Sequence, residues 1–236
     1  MTQKTKNSLY ILVIGVAATA AATMLLGNID QYYRQSDDLV GTDVGKDYAA
    51  GQGELKTFQN GDIEFKYPQN IIVTEKDGQV TLNHNIPFQN HGTCDMRGDE
   101  QTYPTLDDFN VYIRIMDGNL AQAAKSSSSY MPAENFASDT LKISPGYIDK
   151  YQVGDWSGFA IYEGVEGCGH TRYYFPVNSA KTLVVTKDMV QQLSGVMSSN
   201  IKEEILKVPG AISPEESDKI FRQILESLKV NQSFNN

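Results

Sequence analysis

The sequence predicts an α+β protein in which helices pack on an antiparallel sheet, preceded by one N-terminal transmembrane helix. Three features predict this class. Residues 9–27 form an apolar segment without a charge, short segments between residues 63 and 186 alternate apolar and polar side chains, and residues 214–228 carry one apolar stripe. Period-two alternation is typical of half-buried strands, and apolar residues at every third or fourth position are typical of an amphipathic helix.

The composition fits a folded domain with an acidic surface. Of the 236 residues, 40% are hydrophobic and 21% are charged, which separates the chain from disordered and fibrous proteins. The chain has 20 Lys and Arg against 29 Asp and Glu, a formal net charge of -9. Because a nucleic-acid-binding protein needs a basic face that displaces counterions from phosphates, we expect no nucleic acid as a partner.

The uncharged segment at residues 9–27 is the strongest single signal. Its nineteen residues would span about 28 Å as a helix, close to the thickness of the hydrocarbon layer. Lys4 and Lys6 precede the segment and mainly acidic residues follow it, so the positive-inside rule keeps residues 1–8 in the cytoplasm. We therefore expect a single-pass cell-membrane anchor with an extracytoplasmic C-terminal domain. A signal peptide cleaved after Ala22 is the alternative.

Residues 28–57 predict a flexible acidic linker. They hold six acidic residues, three basic residues and four glycines, with few large aliphatic side chains. A chain of this composition does not bury enough apolar surface to compensate for the entropy that ordering removes. We expect it to act as a spacer in the cell envelope between the membrane and an extracytoplasmic domain, residues 58–236.

The domain begins with a strand and a hairpin. Residues 63–67 alternate apolar and polar side chains after an Asn60-Gly61 turn, which predicts a half-buried strand. Residues 71–74 and 79–86 are rich in β-branched side chains and are joined across Lys76-Asp77-Gly78. Since Gly readily takes a positive φ, this pattern predicts a hairpin.

The same alternation predicts the remaining strands, and caps predict the helices. We expect strands at residues 109–116, 147–153, 158–165, 171–177 and 182–186, in a sequentially connected antiparallel sheet. Asn119 is suited to cap a helix that runs through Lys125. Broken helical turns are expected over residues 187–206. Ser213-Pro214-Glu215-Glu216 is a capping box that begins the last helix, which we expect to pack on the sheet.

Two segments of the domain resemble PsbP-like domains. GDIEFKYPQNI at residues 61–71 is similar to their first strand, and SDKIFRQILESLKV at residues 217–230 is similar to the end of their last helix and the strand after it. The stretch at residues 163–176, with Cys168 and Tyr-Tyr-Phe-Pro, resembles membrane-anchored bacterial proteins of the same general shape. The resemblance implies a central antiparallel sheet flanked by helices, an α/β/α sandwich, and no particular activity.

Cys94 and Cys168 are the two cysteines of the chain, and each lies in a polar segment with a neighbouring glycine. On the oxidising side of a membrane, two cysteines usually form a disulfide, and we expect this pair to do so. A zinc site is the alternative, because His91, Cys94, Cys168 and His170 together would supply two sulfur and two nitrogen ligands. Two free thiols are the third alternative.

The sequence predicts no catalytic residue and no cofactor. It has no nucleophile elbow, no phosphate-binding glycine loop, no dinucleotide fingerprint and no zinc-protease helix. His84 alternates with Leu82 and Ile86 in a predicted strand, which favours a structural role. Acidic side chains between Asp95 and Asp108 leave a calcium site open as an alternative to a solvated loop.

These features favour a membrane-tethered extracytoplasmic domain that binds or supports another component of the cell envelope. The ligand is not specified, and an envelope protein is one candidate partner. An envelope hydrolase with a site built from scattered acids and histidines is the first alternative, and a structural spacer is the second. A binding module should expose an apolar or aromatic patch, whereas an enzyme should have a pocket in which titratable groups converge.

Overall fold

The structure is a computed structural model that describes residues 54–92, 94, 101–128, 136–137, 140–141, 148–196 and 199–231. All of these belong to one compact unit, Ala49–Asn236. The predicted membrane segment at residues 9–27 and the predicted linker up to residue 53 lie outside the described residues. Among the helices within the described ranges, none is both long enough and apolar enough to cross a membrane.

The described residues form twelve strands and three α-helices. The strands are β1 (Leu55–Gln59), β2 (Ile63–Pro68), β3 (Ile72–Lys76), β4 (Gln79–Ile86), β5 (Leu106–Asp117), β6 (Phe136–Ala137), β7 (Thr140–Leu141), β8 (Ile148–Val153), β9 (Trp156–Val165), β10 (Cys168–Pro176), β11 (Lys181–Asp188) and β12 (Lys229–Val230). The helices are α1 (Leu120–Ser127), α2 (Ser199–Leu206) and α3 (Pro214–Ser227), with a 3-10 turn at Gln191–Leu193. The strands and helices predicted over residues 63–228 are therefore present.

A seven-stranded sheet forms the centre of the unit. Its order is β3-β4-β5-β11-β10-β9-β8, and neighbouring strands pair antiparallel throughout. A separate three-stranded sheet has the order β1-β2-β12, and β6 pairs with β7. Asp77 and Gly78, with φ of 52° and 73°, make the predicted tight turn between β3 and β4. The α+β class with antiparallel sheets is confirmed.

Helix α3 covers one face of the seven-stranded sheet. Ser213 caps it as predicted, since its hydroxyl oxygen accepts a hydrogen bond from the Glu216 N–H at 3.1 Å, and Pro214 is the first helical residue. The apolar stripe of α3 joins β2 and the apolar side chains of the central strands in one buried cluster. Its members include Phe65, Val111, Ile113, Leu183, Val185, Ile220, Phe221, Ile224 and Leu225.

Helix α1 covers part of the opposite face. Its capping box is complete, because the Asn119 side chain accepts from the Gln122 N–H at 3.0 Å and the Gln122 side chain accepts from the Asn119 N–H at 2.9 Å. The buried side of the helix consists of alanines, which lets it lie close to the strands. These alanines pack on Ile148, Ile161, Tyr174 and Val184, all on β8–β11. The helix therefore covers the β8 side of this face.

Strand β1 was not predicted. Residues 55–57, which the sequence assigned to the end of the flexible linker, are the first residues of this strand, so the predicted boundary at residue 57 is too late. The stabilising contact is tertiary: Phe58 lies opposite Phe65 on β2, with ring centroids 5.1 Å apart. The strand was missed because it follows acidic and glycine-rich residues and is stabilised by pairing with β2, which the local sequence does not reveal.

Replacing Ile224 tests whether α3 contributes to the core. Its side chain is fully buried, so Ile224→Ala should lower the free energy of unfolding by about 2–5 kcal/mol through lost burial and a residual cavity. Urea denaturation followed by Trp156 fluorescence measures this. Lys219→Ala, an exposed position of the same helix, is the control and should change stability by less than about 0.5 kcal/mol. Equal, small effects of both substitutions would contradict the packing.

Candidate functional site

An open cleft lies on the polar part of the seven-stranded sheet, on the face that carries α1. Its volume is about 340 Å³, and the described residues that line it are Gln79, Tyr112, Arg114, His170, Arg172, Val184, Thr186 and Asp188. They come from β4, β5, β10 and β11, the neighbouring strands at the centre of the sheet. A volume of this size lies at the small end of the range for small-molecule sites.

The sheet register arranges these side chains in transverse rows. In the first row Gln79 pairs with Arg114, which pairs with Val184. In the second row Tyr112 pairs with Thr186, which pairs with Arg172. In the third row Asp188 pairs with His170, which pairs with Glu163 on β9. Because side chains on one face recur every two residues, the three rows point to the same side of the sheet.

Glu163 is the most buried charge next to the cleft, with 4% of its side chain exposed. Its Oε2 accepts from the Arg172 guanidinium and lies 3.1 Å from His170 Nε2, and its Oε1 accepts from the Ser128 hydroxyl just after α1. A buried carboxylate without partners is strongly unfavourable, and these three contacts offset the cost of burying Glu163. Arg172 and His170 are thereby committed to Glu163.

Tyr112 and Asp188 form a second polar pair in the cleft. Burial raises the pKa of the Tyr112 hydroxyl to about 12, and the adjacent Asp188 carboxylate adds to this rise. Burial also raises the pKa of Asp188, while hydrogen bonding to Tyr112 and attraction to His170 and Arg172 lower it in part. Tyr112 therefore keeps its proton at neutral pH and donates it to the Asp188 carboxylate in a hydrogen bond.

The two cysteines form the predicted disulfide. Cys94 and Cys168 are bonded, with an S–S distance of 2.04 Å and Cα atoms 5.3 Å apart. The pairing is consistent with an extracytoplasmic location. Cys168 begins β10 two residues before His170, so the disulfide lies one row beyond the third row of the cleft.

The zinc alternative does not fit this arrangement. Both sulfurs are bonded to each other, His170 faces Glu163, and His91 is exposed. Within the described ranges, no three His, Cys, Asp or Glu side chains are grouped so that they could hold a metal ion. For the calcium alternative, Asp95, Asp99 and Glu100 lie outside the described residues.

His84 has the structural role that its position in the strand indicated. Its Nδ1 lies 2.5 Å from Asp108 Oδ1, and the other carboxylate oxygen of Asp108 accepts from the Ile212 N–H at 2.7 Å. The Asp108 side chain is fully buried. The pair links β4 and β5 to the segment that leads into α3, so both oxygens of Asp108 already have structural partners.

A second cleft of about 370 Å³ lies between β10, β11, the 3-10 turn and the beginning of α3. Its main cation, Lys187, donates to Asp218 and lies 5.4 Å from the centre of the Phe221 ring. The lysine is therefore satisfied by its own neighbours. The first cleft is the stronger candidate for a ligand site.

The sequence analysis did not single out Tyr112, Arg114, Arg172, Thr186 or Asp188 as site residues. The available signal was the polar half of the alternation: β5, β10 and β11 each place charged or hydroxyl side chains on the face opposite their apolar side chains. Using this signal requires the order and register of three strands that are far apart in the sequence. His170 was singled out as a metal candidate and instead belongs to the polar cleft.

No protein family and no curated protein matches this chain. Among the similar solved structures is one from Bacteroides thetaiotaomicron VPI-5482, with 11% sequence identity and a TM-score of 0.36, which covers 73% of this chain and 46% of that chain. The chain thus spans less than half the length of that protein, and a likeness at this level carries no functional argument.

Removing Arg172 tests the buried ion pair. Arg172→Gln should lower the free energy of unfolding by about 3 kcal/mol, because Glu163 stays buried with one charged donor fewer. Adding Glu163→Gln should recover part of this loss, since a neutral amide is cheaper to bury. Lys181→Gln is the control: its partner Asp117 is 91% exposed, so the effect should stay below about 1 kcal/mol in urea denaturation. No recovery in the double variant would contradict the assignment.

The disulfide has its own test. A peptide digest under non-reducing conditions should yield Cys94 joined to Cys168, identified by mass spectrometry. Because the two cysteines are 74 residues apart in sequence, reduction should lower the free energy of unfolding by about 4 kcal/mol in the chain-entropy description. Two thiols that react with an alkylating reagent in the native, unreduced protein would contradict the pairing.

Proposed function

We propose that this protein is a membrane-tethered, extracytoplasmic binding or accessory domain of the cell envelope, and that the cleft on the seven-stranded sheet is its ligand site. The observation that carries the proposal is the cleft itself. Elsewhere the central strands bury apolar side chains under α1 and α3, but here they present a group of charged and hydroxyl side chains to an open space. A polar group of this kind in a concave surface is typical of a ligand site.

The membrane tether and the compartment rest on the N-terminal sequence. Residues 9–27 are uncharged and long enough to span a bilayer, and the lysines before them keep residues 1–8 in the cytoplasm. The Cys94–Cys168 pair supports an oxidising compartment for the C-terminal domain. Residues 28–53 would then separate the ordered unit from the membrane.

The PsbP-like resemblance belongs to the same proposal. Its two segments come together in the fold, because β12 at the end of the second segment pairs with β2 in the first, Val230 opposite Ile63. Helix α1 on one face of the central sheet and α3 on the other are compatible with an α/β/α sandwich. The proposed function takes only the architecture from this resemblance.

An envelope hydrolase is the second candidate function. One observation favours it: His170 has Glu163 and Asp188 directly opposite on its two neighbouring strands, and Tyr112 lies beside Asp188. A histidine between two carboxylates is a common source of acid–base chemistry. Binding is preferred because both oxygens of Glu163 accept hydrogen bonds from the protein itself.

Site-specific cross-linking in intact cells tests the proposed function. A photo-reactive amino acid at Gln79, on the rim of the cleft, should give discrete adducts, while the same group at Lys219 on α3 should not. Adding Thr186→Trp, which fills the floor of the cleft, should abolish the Gln79 adducts. A C-terminal tag should be digested by protease added to spheroplasts.

Three results would contradict this function. Identical adducts from positions 79 and 219 would remove the cleft as the ligand site. A C-terminal tag that becomes accessible only after the membrane is lysed would remove the extracytoplasmic location. Chemical conversion of the bound compound, lost in His170→Gln, would favour the hydrolase instead.

A further inference from the structure

We infer that the cleft binds a small oxyanion, a molecule with a carboxylate or phosphate group, and that the guanidinium group of Arg114 is its anchor. This inference rests on the proposed function, since it names the ligand class of the same cleft. It starts from the one cation of the cleft that is left without a counterion by the described part of the chain.

Arg114 is half-buried, yet no carboxylate within the described ranges pairs with it. Its own row contains Gln79 and Val184, and the second row contains Tyr112, Thr186 and Arg172. The acids near the cleft lie toward its other end: Asp188 and Glu163 are in the third row, and Asp107 is close enough to act on Tyr112 and Asp188. The first and third rows are four residues apart along each strand, or about 13 Å, which is too far for Arg114 to form a direct ion pair with an acid of the third row.

Both carboxylates of the third row also have partners of their own. Both oxygens of Glu163 accept hydrogen bonds from the protein, with Arg172 and His170 sharing one of them. Asp188 lies beside Tyr112, and attraction to His170 and Arg172 acts on it. These acids are therefore engaged at the far end of the cleft, and none of the ion pairs within the described residues includes Arg114.

The Arg114 guanidinium is half-buried and has no counterion among the described residues, so its charge is available to an anion that enters the cleft. Its planar fork of N–H donors matches the two oxygens of a carboxylate or phosphate. Around it the cleft offers the Gln79 amide and the Thr186 hydroxyl as further donors. With a volume of about 340 Å³, the space suits a small molecule rather than a polymer segment.

An NMR titration of the ¹⁵N-labelled full chain in detergent micelles tests the inference. The anionic probes are sodium phosphate and sodium citrate, which separate phosphate from carboxylate recognition. The neutral probes are glucose and N-acetylglucosamine, and sodium chloride holds the ionic strength constant. At least one anion should cause saturable shifts of the amides of Gln79, Arg114 and Thr186.

The matched variants are Arg114→Gln and Arg222→Gln. Arg222 lies exposed on α3, which packs on the opposite face of the sheet, so its replacement removes the same charge without touching the cleft. Arg114→Gln should weaken the anion by about tenfold or more through loss of a charge-assisted bidentate contact, and Arg222→Gln should leave its affinity unchanged. Arg114→Lys should bind with intermediate affinity, and it replaces Arg114→Gln if that variant does not fold.

The outcomes separate the inference from the function on which it rests. Equal weakening by the two arginine variants would overturn the inference. Saturable shifts with the neutral sugars alone, unchanged in Arg114→Gln, would overturn the inference and leave the cleft as a binding site. An absence of saturable shifts with all four probes would overturn the inference, while the cross-linking experiment decides the function separately.

Discussion

A carboxylate that is almost completely buried constrains the polar face of this protein. Glu163 lies between β10 and the end of α1, where the cost of an unpaired charge is several kcal/mol. Arg172, His170 and Ser128 together compensate for this by contacting the two Glu163 oxygens. Because the ion pair holds the side chains of β9 and β10 against the C-terminal end of α1, the side of the cleft formed by these elements depends on it.

The two faces of the seven-stranded sheet are covered to different extents. On one face, α3 and β2 cover the apolar side chains and form the larger core. On the other face, α1 is only eight residues long and packs on β8–β11, so among the described residues the polar positions of β4, β5 and β11 stay open to the cleft. A sheet whose alternation is apolar on one side and polar on the other does not need a second complete layer. The cleft lies on the part of this face that α1 does not cover.

Much of the fold was predictable from local signals. The Asp77-Gly78 turn, the Asn119 and Ser213 caps and the stripe of α3 are short-range features, and the structure has each of them. Strand β1 was missed because Phe58 is stabilised by Phe65 across a sheet and not by its sequence neighbours. The cleft was missed for the same reason. Arg114, Arg172 and Asp188 come together through strand order, and a register shift at His84/Asn85 adds to the difficulty of reading that order from the sequence.

The central claim is that Arg114 has no counterion among the residues that the structure describes, while Glu163 holds Arg172 and His170. A crystal structure of the detergent-solubilised full chain, grown with tungstate as a heavy oxyanion, measures this directly through anomalous scattering. The account predicts a tungstate peak in contact with the Arg114 guanidinium, with Glu163 still bonded to Arg172 and His170. A carboxylate of the same chain bound to Arg114, with no tungstate in the cleft, would contradict it.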